Sequence, residues 1–213
     1  MEKAKLKIFQ SLQHIYPEHE IRSISRLILS EITGYSFTGL ITNKNSVFSE
    51  NQRELLDKYL EKLKMHVPVQ YVLGKTEFYG LPFIVNSDVL IPRPETEELV
   101  HWIISDYQHQ NVSVLDLGTG SGCIPVALKH ELPFAQIFAC DISEKALEIA
   151  GKNAANNQTD VHFFTFDILN DKQLPQHFDV FVSNPPYVLQ SEMLQMEAHV
   201  VENEPHLALF VPD

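Results

Sequence analysis

The spacing of hydrophobic residues changes along the chain, and the first pattern is helical. Up to residue 66, apolar side chains recur three or four positions apart, which is the spacing of one buried helix face. Just before the last of these sets, Ser49 and Gln52 have the spacing of a capping box, which predicts a helix start. This region therefore predicts a small helical bundle. The sets are Ile8, Leu12 and Ile15; Ile24, Ile28 and Ile32; and Leu56, Tyr59, Leu60 and Leu63.

The region from 70 to 92 has the pattern of a β-hairpin. EFYG (77–80) and LPFIVN (81–86) are strand-like and flank a Gly-Leu-Pro turn. The next segment, IPRPETEELVHWII (91–104), is typical of a helix start. Pro94 suits a first helical turn, and the glutamates that follow it favour the positive N-terminal end of a helix.

From residue 112 onward, strand-like segments alternate with helical ones. This alternation implies a parallel sheet with helices packed against it. We therefore predict an α/β fold with a helical domain at 1–68, a β-hairpin linker at 69–92 and an α/β domain at 93–213. The strand-like segments are SVLDLG (113–118), AQIFACDIS (135–143), VHFFTFD (161–167) and FDVFVSNPPY (178–187).

Composition narrows the class of protein. The formal net charge of −12 disfavours broad electrostatic binding to nucleic acid. No apolar run approaches the ~18 residues of a membrane span, and we find no signal peptide at the start. Cys123 and Cys140 lie in apolar surroundings, which is typical of reduced core residues in a cytoplasmic protein. The histidines show no ligand spacing, so we expect no metal site.

Polar and glycine residues follow each of the predicted parallel strands. Glycines occur at 118–122 after the first strand, Asp141 ends the second, Asp167 ends the third and Asn184 follows the fourth. Parallel strands bind ligands outside their carboxyl ends. These residues therefore predict one binding crevice, and their convergence is stronger evidence than any single motif.

The glycine segment DLGTGSG (116–122) indicates a nucleoside ligand. It departs from the dinucleotide fingerprint, which needs glycine where this chain has Cys123, and it lacks the Gly-Lys-Ser/Thr of a P-loop. Asp141 is placed to accept hydrogen bonds from ribose hydroxyls, and Asp167 from an adenine amine. S-adenosylmethionine (SAM) fits this set, although the glycine loop taken alone leaves a dehydrogenase open.

The segment SNPPYV (183–188) predicts the chemistry. The lone pair of an amide nitrogen is delocalised into its carbonyl group, so such a nitrogen needs firm positioning to attack a methyl group. Asn184 offers a side-chain carbonyl, Pro185 offers a backbone carbonyl, and Tyr187 offers an aromatic face. The prolines fix the chain so that both acceptors point outward. A strong general base is unnecessary because the leaving thioether is neutral.

These motifs together resemble the PrmC/HemK family, the protein-(glutamine-N5) methyltransferases that act on class 1 peptide chain release factors. The resemblance implies a Rossmann-like class I methyltransferase sheet, SAM as the cofactor and a cytoplasmic role in translation termination. It implies transfer of the methyl group to the glutamine of a Gly-Gly-Gln loop, with the helical domain docking the partner. The matching segments are IPRPETE (91–97), LDLGTGSG (115–122), Asp141, SNPPYV (183–188), QYVLG (70–74) and EFYGLPF (77–83).

The resemblance also implies roles for individual residues. Asn184, Pro185 and Tyr187 take the catalytic positions, and Pro186 and Arg93 join them in binding the substrate. Position 168 is often aromatic in the family, and its isoleucine can pack on an adenine ring without stacking. The residues implied to bind SAM are Gly118, Thr119, Gly120, Ser121, Gly122, Asp141, Asp167, Ile168 and Asn184.

The resembling family continues beyond EPHLALFVPD (204–213) into a helix and further strands. We therefore expect this chain to lack those C-terminal strands, to leave its fourth strand as an exposed hydrophobic edge, and to have weak or no activity alone.

Two other functions stay open from sequence. One is adenine-N6 methylation of DNA or RNA, which the net charge of −12 disfavours. The other is a non-catalytic nucleotide-binding scaffold, which the intact NPPY segment (184–187) disfavours. We expect neither a membrane nor a nucleic acid as a direct partner.

Overall fold

The protein consists of two compact units, Met1–Leu73 and Gly74–Asp213. Its structure is a computed structural model that describes residues 1–171, 173–195, 198–211 and 213. Within those ranges, no helix is both long enough and apolar enough to cross a membrane. Each unit has its own hydrophobic core. The domain boundaries at 68 and 92 stay predictions.

The first unit is a helical bundle, as predicted. The apolar stripes of α1, α2 and α4 are buried together in one core, because each helix presents one continuous apolar face to the others. Ile15 lies beyond the end of α1 and is partly exposed. The helices are α1 (Glu2–Leu12), α2 (Glu18–Thr33), α3 (Phe37–Thr42), α4 (Glu50–Lys64) and α5 (Val69–Leu73).

Helix α4 begins with the predicted capping box. The Oγ of Ser49 accepts a hydrogen bond from the backbone N–H of Gln52 at 3.3 Å, and the Oε1 of Gln52 accepts one from the N–H of Ser49 at 3.0 Å. The Nε2 of Gln52 also donates to the carbonyl oxygen of Ile32 at 3.1 Å. The cap therefore provides hydrogen-bond partners for backbone N–H groups at the start of α4. The side chain of Gln52 also links this start to the end of α2.

Removing this cap is expected to lower the stability of the protein. Ser49→Ala deletes the acceptor of the Gln52 N–H, which costs about 1 kcal/mol in free energy of unfolding. Urea unfolding followed by circular dichroism measures the change. Ser23→Ala is the control, because Ser23 is exposed within α2 and alanine favours a helix there. Equal midpoints for Ser49→Ala and the parent protein would contradict the role of the cap.

The second unit begins with the predicted hairpin and continues into the predicted alternation of strands and helices. Strands β1 and β2 pair antiparallel, and the next helix begins directly after Pro94. The elements are β1 (Lys75–Phe78), β2 (Leu81–Ile84), α6 (Glu95–Tyr107), β3 (Ser113–Leu117), α7 (Cys123–Glu131), β4 (Gln136–Asp141), α8 (Glu144–Asn156), β5 (Val161–Thr165) and β6 (Val180–Ser183).

The central sheet is parallel, which confirms the predicted fold class. Its strand order is β5-β4-β3-β6, and every neighbouring pair is parallel. Val114, Ile137 and Val180 are partners in the register, so they point to the same face, and this face packs with α7 in the core. Because all strands run in the same direction, their carboxyl ends lie along one edge.

Strand β6 is an edge strand within the described residues. It pairs with β3 on one side, and Phe181 in its middle is 54% exposed. The ring of Phe181 contacts Phe178 edge to face, with ring centroids 5.9 Å apart. Among the described residues, the other side of β6 therefore has no paired strand.

Short elements follow β6. Two-residue strands β7 and β8 pair in parallel, and helical turns lie between them. Glu204 in this segment is buried and bonds Arg93, which lies just before α6. The elements are β7 (Val188–Leu189), a 3-10 helix (Gln190–Gln195), α9 (Ala198–Asn203), α10 (His206–Leu209) and β8 (Phe210–Val211).

Candidate active site

The candidate site lies along the carboxyl edge of the sheet, where the predicted residues follow adjacent strands. The glycine loop follows β3, Asp141 ends β4 and Asn184 follows β6. The Oγ of Ser183 donates to the carbonyl oxygen of Leu117 at 2.7 Å. This bond joins the end of β6 to the residue from which the glycine loop leaves β3.

The glycine loop turns away from β3 with a backbone that favours glycine. Gly118, Gly120 and Gly122 have φ angles of 73°, 54° and 77°. A Cβ at Gly122 would lie 2.9 Å from the Cβ of Ala150, so glycine lets α8 pack closely there. Apart from its chain neighbours, no described residue lies within 4 Å of the corresponding position at Gly118 or Gly120. The loop therefore packs on α8 at one end and leaves open space beside its backbone at the other.

The carboxylate of Asp141 shapes this loop. Its Oδ2 accepts a hydrogen bond from the Gly120 N–H at 2.9 Å, and its Oδ1 accepts one from the Ser143 N–H at 2.9 Å. Each oxygen keeps further lone pairs for a ligand. The structure thus brings Asp141 and the glycine loop together, as the sequence predicted.

Asp116 is a second carboxylate below the loop, and sequence reasoning assigned it no role. It is 1% exposed, and neither of its oxygens has a hydrogen-bond partner among the described residues. Burial raises the pKa of Asp116 to about 7. The nearby hydroxyl of Thr119 opposes this rise without reaching hydrogen-bonding geometry, and the charge of Asp141 adds to it. The sequence signal that could have pointed to Asp116 is its charge inside the otherwise apolar segment SVLDLG.

Asp167 and Ile168 lie in an exposed turn after β5. The Oδ2 of Asp167 accepts from the side chain of Asn170 at 2.7 Å, and its Oδ1 accepts from the N–H of Leu169 at 2.9 Å. These bonds, with the Asn170 side chain foremost, lower the pKa of Asp167. Ile168 is 61% exposed, so its side chain is accessible to a flat ligand. The carboxylate oxygens of Asp167 already serve the turn, which reduces their capacity to accept from adenine.

The segment after β6 presents its polar groups to solvent. Asn184, Pro185 and Tyr187 are exposed, and Tyr187 is 79% exposed. The Nδ2 of Asn184 donates to the Oγ1 of Thr96 in α6 at 3.3 Å. In the described part of the chain, no donor bonds to the Oδ1 of Asn184 or to the carbonyl oxygen of Pro185. Both predicted acceptors are therefore available to a ligand.

This geometry fits a nucleoside ligand beside a group that presents carbonyl oxygens. Open space flanks two glycines, the Asp141 carboxylate lies at the loop, and the buried Asp116 has unpartnered oxygens beneath it. Unpartnered carboxylate oxygens favour a ligand that carries positive charge. SAM has a nucleoside, a sulfonium and an ammonium group, so the residues present fit it.

Comparison with known proteins identifies the family. Residues 7–74 match the PrmC N-terminal domain, and residues 96–206 match the Methyltransferase small domain. The release factor glutamine methyltransferase of Flavobacterium psychrophilum is 44% identical over 213 residues, covering 98% of this chain and 75% of that protein. The chain belongs to the release factor glutamine methyltransferase family. The relative from Bacteroides thetaiotaomicron, with the same name, is 42% identical and covers 97% of this chain and 74% of that protein.

This release factor glutamine methyltransferase family member is therefore an enzyme, and SAM is its methyl donor. The predicted family, fold class and cofactor are confirmed. Among solved structures, the Pyrococcus abyssi tRNA (uracil-54, C5)-methyltransferase in complex with S-adenosyl-L-homocysteine aligns with a TM-score of 0.43 and 18% identity. That alignment covers 52% of this chain and 28% of the archaeal one.

Arg93 of this methyltransferase, predicted to bind substrate, is paired with Glu204. One guanidinium nitrogen lies 2.7 and 2.8 Å from the two carboxylate oxygens of Glu204, whose side chain is 2% exposed. The pair joins the segment before α6 to the segment after α9. Sequence reasoning missed Glu204, because nothing in its local sequence separates it from the other acidic residues.

Asn153 was also missed, and it supports the glycine loop of the methyltransferase from behind. This side chain on α8 is fully buried, and its Nδ2 donates to the carbonyl oxygen of Ser121 at 2.9 Å. Its amide also bonds the backbone of Ile84 in β2, accepting from the N–H at 2.7 Å and donating to the carbonyl oxygen at 3.0 Å. The hairpin is thereby fixed to the loop. An asparagine among alanines in a helix was the only sequence signal.

Proposed function

We propose that this methyltransferase transfers the methyl group of SAM to the side-chain nitrogen (N5) of the glutamine in the Gly-Gly-Gln loop of a class 1 peptide chain release factor. The observation that carries the proposal is the position of the NPPY segment (184–187). This segment begins directly after Ser183, at the end of β6. The Oγ of Ser183 donates at 2.7 Å to the carbonyl oxygen of Leu117, the residue just before the glycine loop. An amide held by this segment lies next to a ligand of that loop.

The NPPY segment supplies what a glutamine amide requires. The Oδ1 of Asn184 and the carbonyl oxygen of Pro185 accept the two N–H bonds of the substrate amide and hold its nitrogen in line for transfer. Pro186 lacks an N–H and restricts the backbone, which keeps the acceptors in place. Tyr187, with its exposed ring, covers the flat amide group. The segment supplies no strong base: as the nitrogen–methyl bond forms, the sulfur–methyl bond breaks to leave a neutral thioether, and the nitrogen then releases its proton to water.

The glycine loop and the strand ends hold the donor. Backbone of Gly118–Gly122 approaches it closely, Asp141 accepts from its ribose, and Ile168 packs on its adenine. Thr119, Ser121, Asp167 and Asn184 complete the set. When bound, SAM supplies an electrophilic methyl group on a sulfonium whose leaving group is neutral. A positive charge near Asp116 also favours the ionised form of that carboxyl group.

The release factor is assigned as partner on the names of the relatives, which are 44% and 42% identical to this chain. We assign docking of the release factor to the first unit, which matches the PrmC N-terminal domain. We assign Arg93 to the substrate side of the site, where it pairs with Glu204.

The experiment that tests the function is incubation of the protein with methyl-labelled SAM and three separate substrates. These are a purified class 1 release factor, the same factor with glutamate in place of the loop glutamine, and duplex DNA. We expect label only in the unaltered factor, at the loop glutamine when the peptides are analysed by mass spectrometry.

The other outcomes separate the alternative functions. Label in DNA, released as N6-methyladenine, would favour nucleic-acid methylation instead. Binding of SAM by calorimetry with no label in any substrate would favour a non-catalytic role. Equal label in both forms of the factor would place the methyl group on a residue other than the loop glutamine.

A further inference from the structure

Thr96 lies behind the NPPY segment and contacts its first residue. It is 8% exposed in the first turn of α6, and its Oγ1 accepts a hydrogen bond from the Nδ2 of Asn184 at 3.3 Å. Asn184 itself is exposed. A buried hydroxyl on a helix therefore tethers an exposed side chain at the mouth of the site.

The orientation of the Asn184 amide decides what it can bind. The two ends of an asparagine amide have nearly the same shape, but one is an acceptor and the other a donor. A substrate amide nitrogen needs the acceptor end. In the structure the Nδ2 of Asn184 bonds Thr96 and its Oδ1 is directed away from α6, and this contact limits rotation of the Asn184 side chain.

We propose that Thr96 is a positioning residue that fixes the Asn184 side chain with its carbonyl oxygen toward the substrate amide. This inference rests on the proposed function, because it concerns how the same site presents its acceptor. Thr96 itself touches neither the substrate nor SAM. Its contribution is to hold the Asn184 side chain at the mouth of the site, where Oδ1 can accept an N–H bond from the substrate.

The first turn of α6 is a firm base for this contact. The Oε1 of Glu97 accepts from the backbone N–H of Tyr79 in the hairpin turn at 2.8 Å. On the other side, Arg93 is paired with the buried carboxylate of Glu204. The backbone N–H of Thr96 donates to the carbonyl oxygen of Arg93 at 3.0 Å. The Thr96 hydroxyl is thus held at a fixed place relative to the strand end.

The test compares Thr96→Val, which keeps the shape and removes the hydroxyl, with Thr96→Ser, which keeps the hydroxyl. With a release factor as substrate, we expect Thr96→Val to lower kcat about tenfold, the effect of one hydrogen bond, and Thr96→Ser to stay within about threefold of the parent. The dissociation constant of SAM, measured by calorimetry, is expected to be the same in all three proteins. A role limited to packing predicts a loss in Thr96→Ser, which is the smaller side chain.

A double substitution isolates the contact. In the Asn184→Ala background, Thr96→Val is expected to have no further effect, because the group that it positions is gone. Full activity of Thr96→Val, or equal losses in Thr96→Val and Thr96→Ser, would overturn the inference while the proposed function stood. A parent protein that binds SAM but leaves the release factor unlabelled would overturn the proposed function and this inference together.

Discussion

Asn184→Ala is expected to abolish most methyl transfer while SAM binding is nearly retained. The substitution removes an acceptor that holds the reacting nitrogen, and loss of one such preorganised group costs about 10²–10³-fold in rate. The glycine loop and Asp141 are unchanged, and their bond at 2.9 Å does not involve Asn184. We therefore expect kcat/KM for the release factor to fall by that factor, while the dissociation constant of SAM changes only a few-fold.

The measurement combines initial rates with labelled SAM and calorimetric titration of SAM alone. Asn111→Ala is the matched control, because Asn111 is exposed and lies just before β3, at the opposite edge of the sheet from the site. It should match the parent protein in both assays. Methyl transfer by Asn184→Ala at the parental rate would rule out the role of Asn184 as the substrate acceptor. A parallel loss of SAM binding would show that the main role of Asn184 is to hold the cofactor.

The convergence of the glycine loop, Asp141 and Asn184 could be predicted from the sequence because it follows from local rules. Apolar segments separated by helical ones indicate parallel strands, and the ends of parallel strands share an edge. The structure has that strand order and places the three features on adjacent strands. The motif residues themselves, such as Gly122 with its φ of 77°, are visible because glycine is required there.

The supporting contacts could not be predicted, because they join distant parts of the chain. Arg93 and Glu204 are 111 positions apart, and Thr96 and Asn184 are 88 positions apart. No periodicity links such pairs, and a motif that marks one partner, such as NPPY for Asn184, says nothing about which distant residue it contacts. The capping box of Ser49 and Gln52 was predicted correctly for the opposite reason, since both partners lie within one helical turn.

Asp116 lies between these two cases. Its charge within an apolar strand is visible in the sequence, but the cost of that charge depends on burial by neighbouring strands. The register places Asp116 between Ala139 and Val182, inside the sheet. Water is excluded there, and the side chain is 1% exposed. Burial disfavours the charged form, which is why its pKa rises to about 7.

The raised pKa of Asp116 makes the protein less stable as pH rises. Below about pH 4 the carboxyl group is protonated in both the folded and the unfolded chain and contributes no penalty. Above that, the unfolded chain loses the proton first, and the contribution of the neutral acid to stability is lost as pH rises through about 7. Moving the pKa from 3.8 to about 7 corresponds to roughly 4 kcal/mol in free energy of unfolding.

Asp116→Asn keeps the size of the side chain and removes its ionisation, so the variant is expected to lack this loss. Urea unfolding at pH 5 and pH 8 measures the difference between parent and variant. We expect the free energy of unfolding of the variant, relative to that of the parent, to be higher at pH 8 than at pH 5 by up to about 3 kcal/mol. Asp179→Asn is the control, because Asp179 is exposed and its pKa is lowered by hydrogen bonds from Ser113. A constant difference between parent and Asp116→Asn would contradict the burial of a titrating carboxyl group.

The same carboxylate gives the cofactor a way to stabilise the protein. A cation bound beside Asp116 favours its ionised form, and SAM carries positive charge on its sulfonium and ammonium groups. At pH 8, saturating SAM is therefore expected to raise the unfolding midpoint of the parent more than that of Asp116→Asn. Equal increases in the unfolding midpoints of the two proteins would show that SAM binding does not depend on the charge of Asp116. A larger gain in the parent would mean that the buried carboxylate, unfavourable in the free protein, is retained because it is favourable once the cationic ligand is bound.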